Sequence, residues 1–304
     1  MFTRHPTTAI SESCLMKGEG QLPGQPKSCG SRSRTVFETL GHGERTHFMG
    51  ELRMFTSSSQ ILDHFRDRQV DPESRIYIKT HAKRYAFLLD VVTKARQELA
   101  CVRSCTILDI GPSFFTELIR LAFPRDTVLT LGLDSAESRG GHLPNAVRHE
   151  DQAHFYFDLN DSQYRDRWIK LPSVDLAVMA EVIEHLYTAP TLVLAFVQSL
   201  LSTGGILIVQ TPNAATLKKR LKLLFGENPY EMIRENPRNP GHYREYTKRE
   251  LHEIADAVGF EVSDCVLSNY FSHDSSKRAL EQVIRSLVPP NLKRGITLVL
   301  RKRG

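Results

Sequence analysis

From residue 57 onward the chain switches between two spacings of apolar residues, and each switch marks the border of an element. Residues 57–65, and over a longer stretch 74–99, repeat apolar positions at helical spacing, with Ile76, His81, Tyr85, Leu88, Val92 and Leu99 near one face. The period then shortens. Residues 106–111, 127–133, 154–157, 174–179 and 205–210 are short apolar runs, the pattern of strands buried on both faces. Helical segments near 116–123 and 190–201 lie between most of them. This strand-helix-strand alternation predicts an α/β fold whose mainly parallel sheet is covered by helices on both faces.

Beyond the fifth run, residues 214–225 read as an amphipathic helix with Leu217, Leu221, Leu224 and Phe225 inward, capped by Asn213 and stopped by Gly226. Pro229, Pro237, Pro240 and Gly241 predict a loop over 227–241. Thr247-Lys248-Arg249-Glu250 has the spacing of a capping box and predicts a helix reaching Val258, with Gly259 as its stop. Residues 260–267 and 296–300 predict the last two strands, with a helical insertion over 272–295 that includes a turn at Pro289-Pro290. Residues 1–50 are rich in Gly, Ser, Pro, Thr and Arg, carry no sustained period, and are expected to be a disordered tail. The expected organisation is an N-terminal helical segment over 51–105 and a core over 106–304, with a lid insertion at about 214–245.

Composition changes this picture little. Of 304 residues, 40% are hydrophobic and 25% charged, ordinary for a soluble globular enzyme, and no apolar run is long enough to cross a bilayer. A net charge of +5 does not by itself argue for nucleic acid; the basic clusters at Lys218, Lys219, Arg220 and Lys222, and at Lys293, Arg294, Arg301, Lys302 and Arg303, read first as solvated faces. The five cysteines (Cys14, Cys29, Cys101, Cys105 and Cys265) are odd in number and lack paired metal spacing, so reduced thiols are expected. No apolar leader follows Met1, and a cytoplasmic location is expected.

The chemistry concentrates in Ala180-Glu181-Val182-Ile183-Glu184-His185-Leu186. If this stretch opens a helix, Glu181, Glu184 and His185 share one face just beyond a strand end, where open parallel sheets bind ligands. Two carboxylates and an imidazole there suit a divalent metal; the bland reading is a helix start whose glutamates favour the macrodipole. Gly111 ends the first strand where the chain must turn tightly beside a ligand. Asp134 follows it by 134 − 111 = 23 positions, which suits a carboxylate accepting both hydroxyls of a ribose. Asp134 and Asp158 can each also be a turn or helix cap.

Several separated motifs together resemble the class I S-adenosylmethionine-dependent methyltransferases over roughly residues 75–303. They are Leu108-Asp109-Ile110-Gly111, Gly132-Leu133-Asp134, Asp158-Leu159-Asn160-Asp161, and Leu200-Leu201-Ser202-Thr203-Gly204-Gly205 with Thr211-Pro212-Asn213. The last is similar to the fifth-strand region of ubiquinone-type O-methyltransferases. The resemblance implies a Rossmann-like, mainly parallel seven-stranded sheet with an antiparallel last strand, and S-adenosylmethionine as cofactor. It places cofactor contacts at Asp109, Gly111, Ser113, Asp134, Asp158 and Glu181. One departure stands out: Pro112-Ser113-Phe114-Phe115-Thr116 follows Gly111 where the family usually carries further glycines. Either Ser113 or Thr116 takes over the contact, or binding is weakened.

Glu-Val-Ile-Glu-His is also similar to the metal motif of the small-RNA 3′-end 2′-O-methyltransferases, and Gly241-His242-Tyr243-Arg244-Glu245-Tyr246-Thr247 matches their later histidine loop. This implies Glu181, Glu184, His185 and His242 as ligands of Mg²⁺ or Mn²⁺, with His185 and His242 as the catalytic residues. The alternative is a histidine base working without metal. The expected activity is O-methylation of a hydroxyl acceptor: a small molecule, glycan or natural product is favoured, with an RNA terminal ribose as the other candidate. Two further readings compete. A nicotinamide-dependent oxidoreductase lacks its full Gly-x-Gly-x-x-Gly here and leaves the Glu-Glu-His-His set unexplained, and a catalytically silent binding module is suggested by the altered first loop. The sequence does not address oligomeric state.

Overall fold

Successive residues of the central strands bury into opposite apolar layers, which is why the runs are mainly apolar and not alternating. The computed structural model describes residues 55, 57–66, 68, 70–99, 104–133, 154–236, 239–270 and 289–304. Its strands are β1 (Thr106–Ile110), β2 (Thr127–Gly132), β3 (His154–Tyr156), β4 (Val174–Ala180), β5 (Leu201–Pro212), β6 (Phe260–Ser268) and β7 (Gly295–Lys302). They form one seven-stranded sheet in the order β3-β2-β1-β4-β5-β7-β6. Strands β1 to β5 pair in parallel, and β7 lies antiparallel between β5 and β6. This is the Rossmann-like arrangement with an antiparallel last strand that the resemblance implies.

One layer joins Ile107, Val128, Leu176, Val178, Ile206 and Ile208 to helices α1 (Ser58–Arg66), α2 (Pro72–Glu98) and α3 (Phe114–Ala122). The other joins Leu108, Ile110, Leu129, Leu131, Ala177, Met179, Leu207 and Val209 to α4 (Pro190–Leu200) and α6 (Lys248–Ala257). Helix starts follow local chemistry. Asp71 caps α2 by accepting from the Ser74 amide at 2.9 Å, with Pro72 in the first turn. The expected Thr247/Glu250 capping box opens α6, and Gly259 behind it has φ 84°. Among the described residues no helix is long and apolar enough to cross a membrane.

Two amphipathic faces differ from expectation. Ile76 is 67% exposed, while Ile78, Ala82, Tyr85, Leu88, Leu89 and Val92 of the same helix are buried. The helix of the expected lid segment, α5, is shorter than expected (Leu217–Leu224) and is capped by Thr216 rather than Asn213. Asn213 is occupied elsewhere: its amide nitrogen donates to the carbonyls of Asn291 and Lys293. Leu221, Leu224 and Phe225 of the expected inward face are 47%, 76% and 77% exposed, and Leu217 is exposed too. Periodicity groups residues onto a face but does not say which side of the chain that face will meet. The expected tail at 1–50, Asp134 and most of the expected 272–295 insertion lie outside the described residues.

Gly111 is required by its backbone and by its surroundings. It has φ 76°, and a Cβ there would stand 2.6 Å from Cγ2 of Val182. Left-handed strain and overpacking add, so Gly111→Ala is expected to lower unfolding free energy by about 2–4 kcal/mol. Urea unfolding of the two proteins checks this; a loss below about 1 kcal/mol would mean the strand end yields easily.

Candidate cofactor and metal site

The chain leaves β1 toward β2 and β3 on one side, and passes from β4 to β5 on the other, so the sheet reverses its winding between β1 and β4. Ligands of such sheets bind in the crevice at the carboxyl ends of those strands. Gly111 to Ser113 follow β1, and Glu181 to His185 follow β4.

The segment after β4 does not open an α-helix. Glu181 takes a left-handed conformation (φ 58°), its amide donating to the Gln210 carbonyl at 2.7 Å. A single 3-10 turn, Ile183–His185, comes next, and α4 begins only at Pro190. A left-handed residue cannot stand inside a right-handed helix, and Pro190 disfavours helical backbone at Ala189 while suiting the first turn of α4. Glu181, Glu184 and His185 therefore do not share a helix face. Tertiary folding nevertheless gathers Glu184, His185 and His242, whose ligand-capable atoms lie within 4.8 Å of one another. Loop 241–246 is held there because the amides of Tyr243 and Arg244 both donate to the Glu184 carbonyl.

Glu184 is fully buried, and its Oε2 accepts from the Thr211 hydroxyl at 2.9 Å. The Oε1 atoms of Glu184 and Glu181 are enclosed and have no hydrogen-bond partner among the described residues. The two carboxyl groups lie against each other, and burial holds both above the ordinary carboxyl range; repulsion from Glu184 raises Glu181 further, while Thr211 and Arg84 oppose the rise at Glu184. Burial therefore favours keeping a proton on this pair while nothing else offsets its charge.

The imidazoles are set by what they touch. His185 Nδ1 lies 2.9 Å from the Gly241 carbonyl, and His242 Nδ1 lies 3.2 Å from Glu245 Oε1. Carbonyl and carboxylate oxygens only accept, so both Nδ1 atoms carry hydrogen and both Nε2 atoms keep a lone pair. The rings meet edge to face at 4.8 Å. Burial lowers the pKa of both; for His242, burial and then the neighbouring His185 bring it to about 4. Neutral imidazoles beside a carboxylate suit Mg²⁺, Mn²⁺ or a softer first-row cation.

At the β1 end of the crevice, Asp109 is buried and accepts from the Thr116 hydroxyl at 2.5 Å, and burial pushes its carboxyl up to about 7. Thr116 also accepts from the Ser113 amide, while the Ser113 hydroxyl caps α3 by accepting from Phe115 N. Asp109, Ser113 and Thr116 thus form a hydrogen-bonded set along the proline-containing loop. Asp158 caps the short turn Leu159–Gln163, accepting from the Asn160 amide at 2.9 Å.

Sequence reasoning missed Arg84. It lies on α2 and is 3% exposed, with Nη1 donating to Gln210 Oε1 at 3.3 Å and Nε to His81 Nδ1 at 3.1 Å. Its charge is near Glu181 and the hydroxyls of Tyr77, Tyr85 and Tyr270, and its guanidinium lies 4.9 Å from the centroid of the Tyr85 ring. The available signal was a lone arginine beside the buried positions Tyr85 and Leu88, far from any motif. Between residues 230–233 and 242–250 lies a cavity of about 660 Å³, with His242, Glu245, Arg244, Arg249, Tyr230 and Ile233 in its wall.

Residues 77–264 match the family described as methyltransferase domain. A 92-residue segment is 36% identical to a probable S-adenosylmethionine-dependent methyltransferase of Mycolicibacterium smegmatis, covering 30% of this chain and 30% of that protein. Among solved structures, the plantazolicin methyltransferase BamL is similar over 86% of this chain and 99% of its own, at 12% identity and a TM-score of 0.48. A SAM-dependent methyltransferase from Archaeoglobus fulgidus is similar over 70% of this chain and 93% of its own, at 14% identity and a TM-score of 0.42.

Proposed function

The chain belongs to the methyltransferase domain family, and on that premise we propose that it transfers a methyl group from S-adenosylmethionine to a hydroxyl of its acceptor with the help of a divalent cation. The observation that carries the metal part is the trio itself: two imidazoles whose tautomers leave Nε2 free, beside a buried carboxylate with an unpartnered oxygen. Glu184, His185 and His242 would hold the cation, and Glu181 would join them as the proton between the carboxyls leaves. The cation would supply Lewis acidity that lowers the pKa of the acceptor hydroxyl toward neutrality.

S-adenosylmethionine supplies the electrophile, a methyl on a sulfonium. The chain's part is to seat and align. Gly111, free of a side chain, lets backbone approach the cofactor at the β1 end, and Asp134 would take the ribose hydroxyls. Arg84 is the buried cation near this strand edge and would hold the cofactor's α-carboxylate. Asp109, Ser113 and Thr116 support the loop from behind; Asp158 would act on the adenine side through the turn it caps. The His242 wall of the cavity would bring the acceptor oxygen beside the trio, and alignment supplies much of the acceleration.

The metal-independent reading is weaker. A histidine whose pKa is lowered to about 4 is a poor proton acceptor near neutral pH but a good neutral ligand. A cavity of about 660 Å³ suits a small-molecule, glycan or natural-product acceptor, with an RNA terminal ribose as the alternative. The test incubates the protein with labelled S-adenosylmethionine, Mg²⁺ and mixed extracts, identifies labelled products by mass spectrometry, and measures S-adenosylhomocysteine and NAD binding by calorimetry. Label on oxygen with S-adenosylhomocysteine binding is the expected result. NAD binding alone would replace this reading by the oxidoreductase, and binding of neither by a silent module.

A further inference from the structure

Helix α5 exposes the neighbours Lys218 and Arg220, but it turns Lys219 inward. The Lys219 ammonium forms an ion pair with Glu245 Oε2, donates to the Asn213 carbonyl at 3.2 Å, and stands 5.3 Å from the centroid of the Tyr230 ring. The other oxygen of Glu245, Oε1, is the one that faces His242 Nδ1. A continuous chain of polar contacts therefore runs from the lid helix, through one carboxylate, to the imidazole of a proposed ligand. Tyr230, midway along the lid segment, closes over the same ammonium and donates its hydroxyl to the Ala214 carbonyl.

Resting on the metal reading above, we propose that Lys219 is a positioning residue for the cation site: it fixes Glu245 so that His242 presents Nε2, and it thereby couples metal affinity to the seating of the lid. The physical reasons are two. A carboxylate only 10% exposed needs a countercharge to stay in place. A carboxylate hydrogen-bonded to the far nitrogen of a histidine fixes its tautomer and ring angle and strengthens it as a ligand. Without Lys219, Glu245 turns toward water, and the His242 ring loses both its hydrogen-bond partner and its orientation. The lid then ceases to be a passive cover. Any acceptor that lifts α5 also loosens the His242 side of the cation site, and any cation that orders His242 steadies α5.

The experiment titrates Mn²⁺ alone into the full chain and follows free Mn²⁺ by electron paramagnetic resonance. Wild type, Lys219→Met, Lys219→Arg, Glu245→Gln, the exposed control Lys218→Met, and His242→Ala are compared. The expected pattern is Mn²⁺ binding weakened about 10-fold or more in Lys219→Met and Glu245→Gln, within the ~10–100-fold range for losing an outer partner of a ligand. Lys219→Arg restores binding to within about 3-fold of wild type, and Lys218→Met matches wild type. If Lys219→Met does not fold, Glu245→Gln and Lys219→Arg carry the comparison. Wild-type affinity in Lys219→Met or in Glu245→Gln, alongside loss in His242→Ala, overturns this proposal and leaves the metal reading standing. No Mn²⁺ binding by wild type, or no effect of His242→Ala, overturns the metal reading and this proposal with it.

Discussion

Glu184→Gln and His242→Ala are each expected to weaken divalent-cation binding by about 100-fold or more, beyond the ~10–100-fold cost of losing an outer partner. Methyl transfer is expected to fall with it. Glutamine keeps the shape of residue 184 and its bond from Thr211, so the loss reports charge and not packing. The same substitution should make the metal-free protein more stable near pH 8. The sign follows from the direction of the shifts. The Glu181 and Glu184 carboxyls are raised above 4.5, so their contribution to stability is complete below that pH and is lost as pH rises through their folded values. Asp109, pushed up to about 7, acts in the same direction. Urea unfolding in chelator at pH 6 and pH 8 should therefore show wild type weaker at pH 8, with a smaller drop in Glu184→Gln. Cation binding reverses the trend, because ligands must lose their proton to bind, and affinity should rise from pH 6 to pH 8. Wild-type cation affinity in both Glu184→Gln and His242→Ala would remove these residues from the site.

Arg84→Met is expected to weaken S-adenosylhomocysteine binding by about 30-fold or more, equivalent to ~2 kcal/mol, the lower end for truncating one partner of a buried charge pair. Binding of 5′-methylthioadenosine should stay within about 3-fold of wild type, because that molecule keeps the nucleoside and thioether but lacks the amino-acid end. The comparison separates a contact from a scaffold. Arg84 is 3% exposed, it donates to the neutral groups of Gln210 and His81 with Glu181 as its nearby carboxylate, and a guanidinium has five N–H donors with which to meet an anion. An equal loss for both ligands would instead make Arg84 a support for Glu181 and the strand ends. Calorimetry with the two ligands decides between these outcomes.

Several features were legible because they are local. The runs at 106–111, 174–179 and 205–210 read as buried strands because alternate residues meet two different helix layers, where a polar side chain needs a partner; the fifth strand extends further in the structure, over Leu201–Pro212. Thr247 and Glu250 announced α6 through a cap that needs only four consecutive residues. The lid helix was legible as a helix, but its facing was not. Lys219 faces inward to pair with Glu245, 245 − 219 = 26 positions away, while Leu224 and Phe225 of the same segment lie outward. The Glu181 segment was misread as a helix because spacing of i, i+3 and i+4 looks the same in a helix and in a tight turn. Only the left-handed backbone at Glu181, tied to Gln210 of the neighbouring strand, distinguishes them.

By itself the sequence determined the strands, most of the helix starts and stops, and which residues carry donor chemistry, because apolar period, caps and side-chain type act over a few positions. Tertiary structure decided the rest. His242 meets His185 across 242 − 185 = 57 positions only because two amides of its loop hang on the Glu184 carbonyl, and Arg84 reaches the strand edge only because α2 packs across it. Such meetings are set by where the sheet places its ends and which buried polar groups must find partners there, and no local pattern encodes that choice.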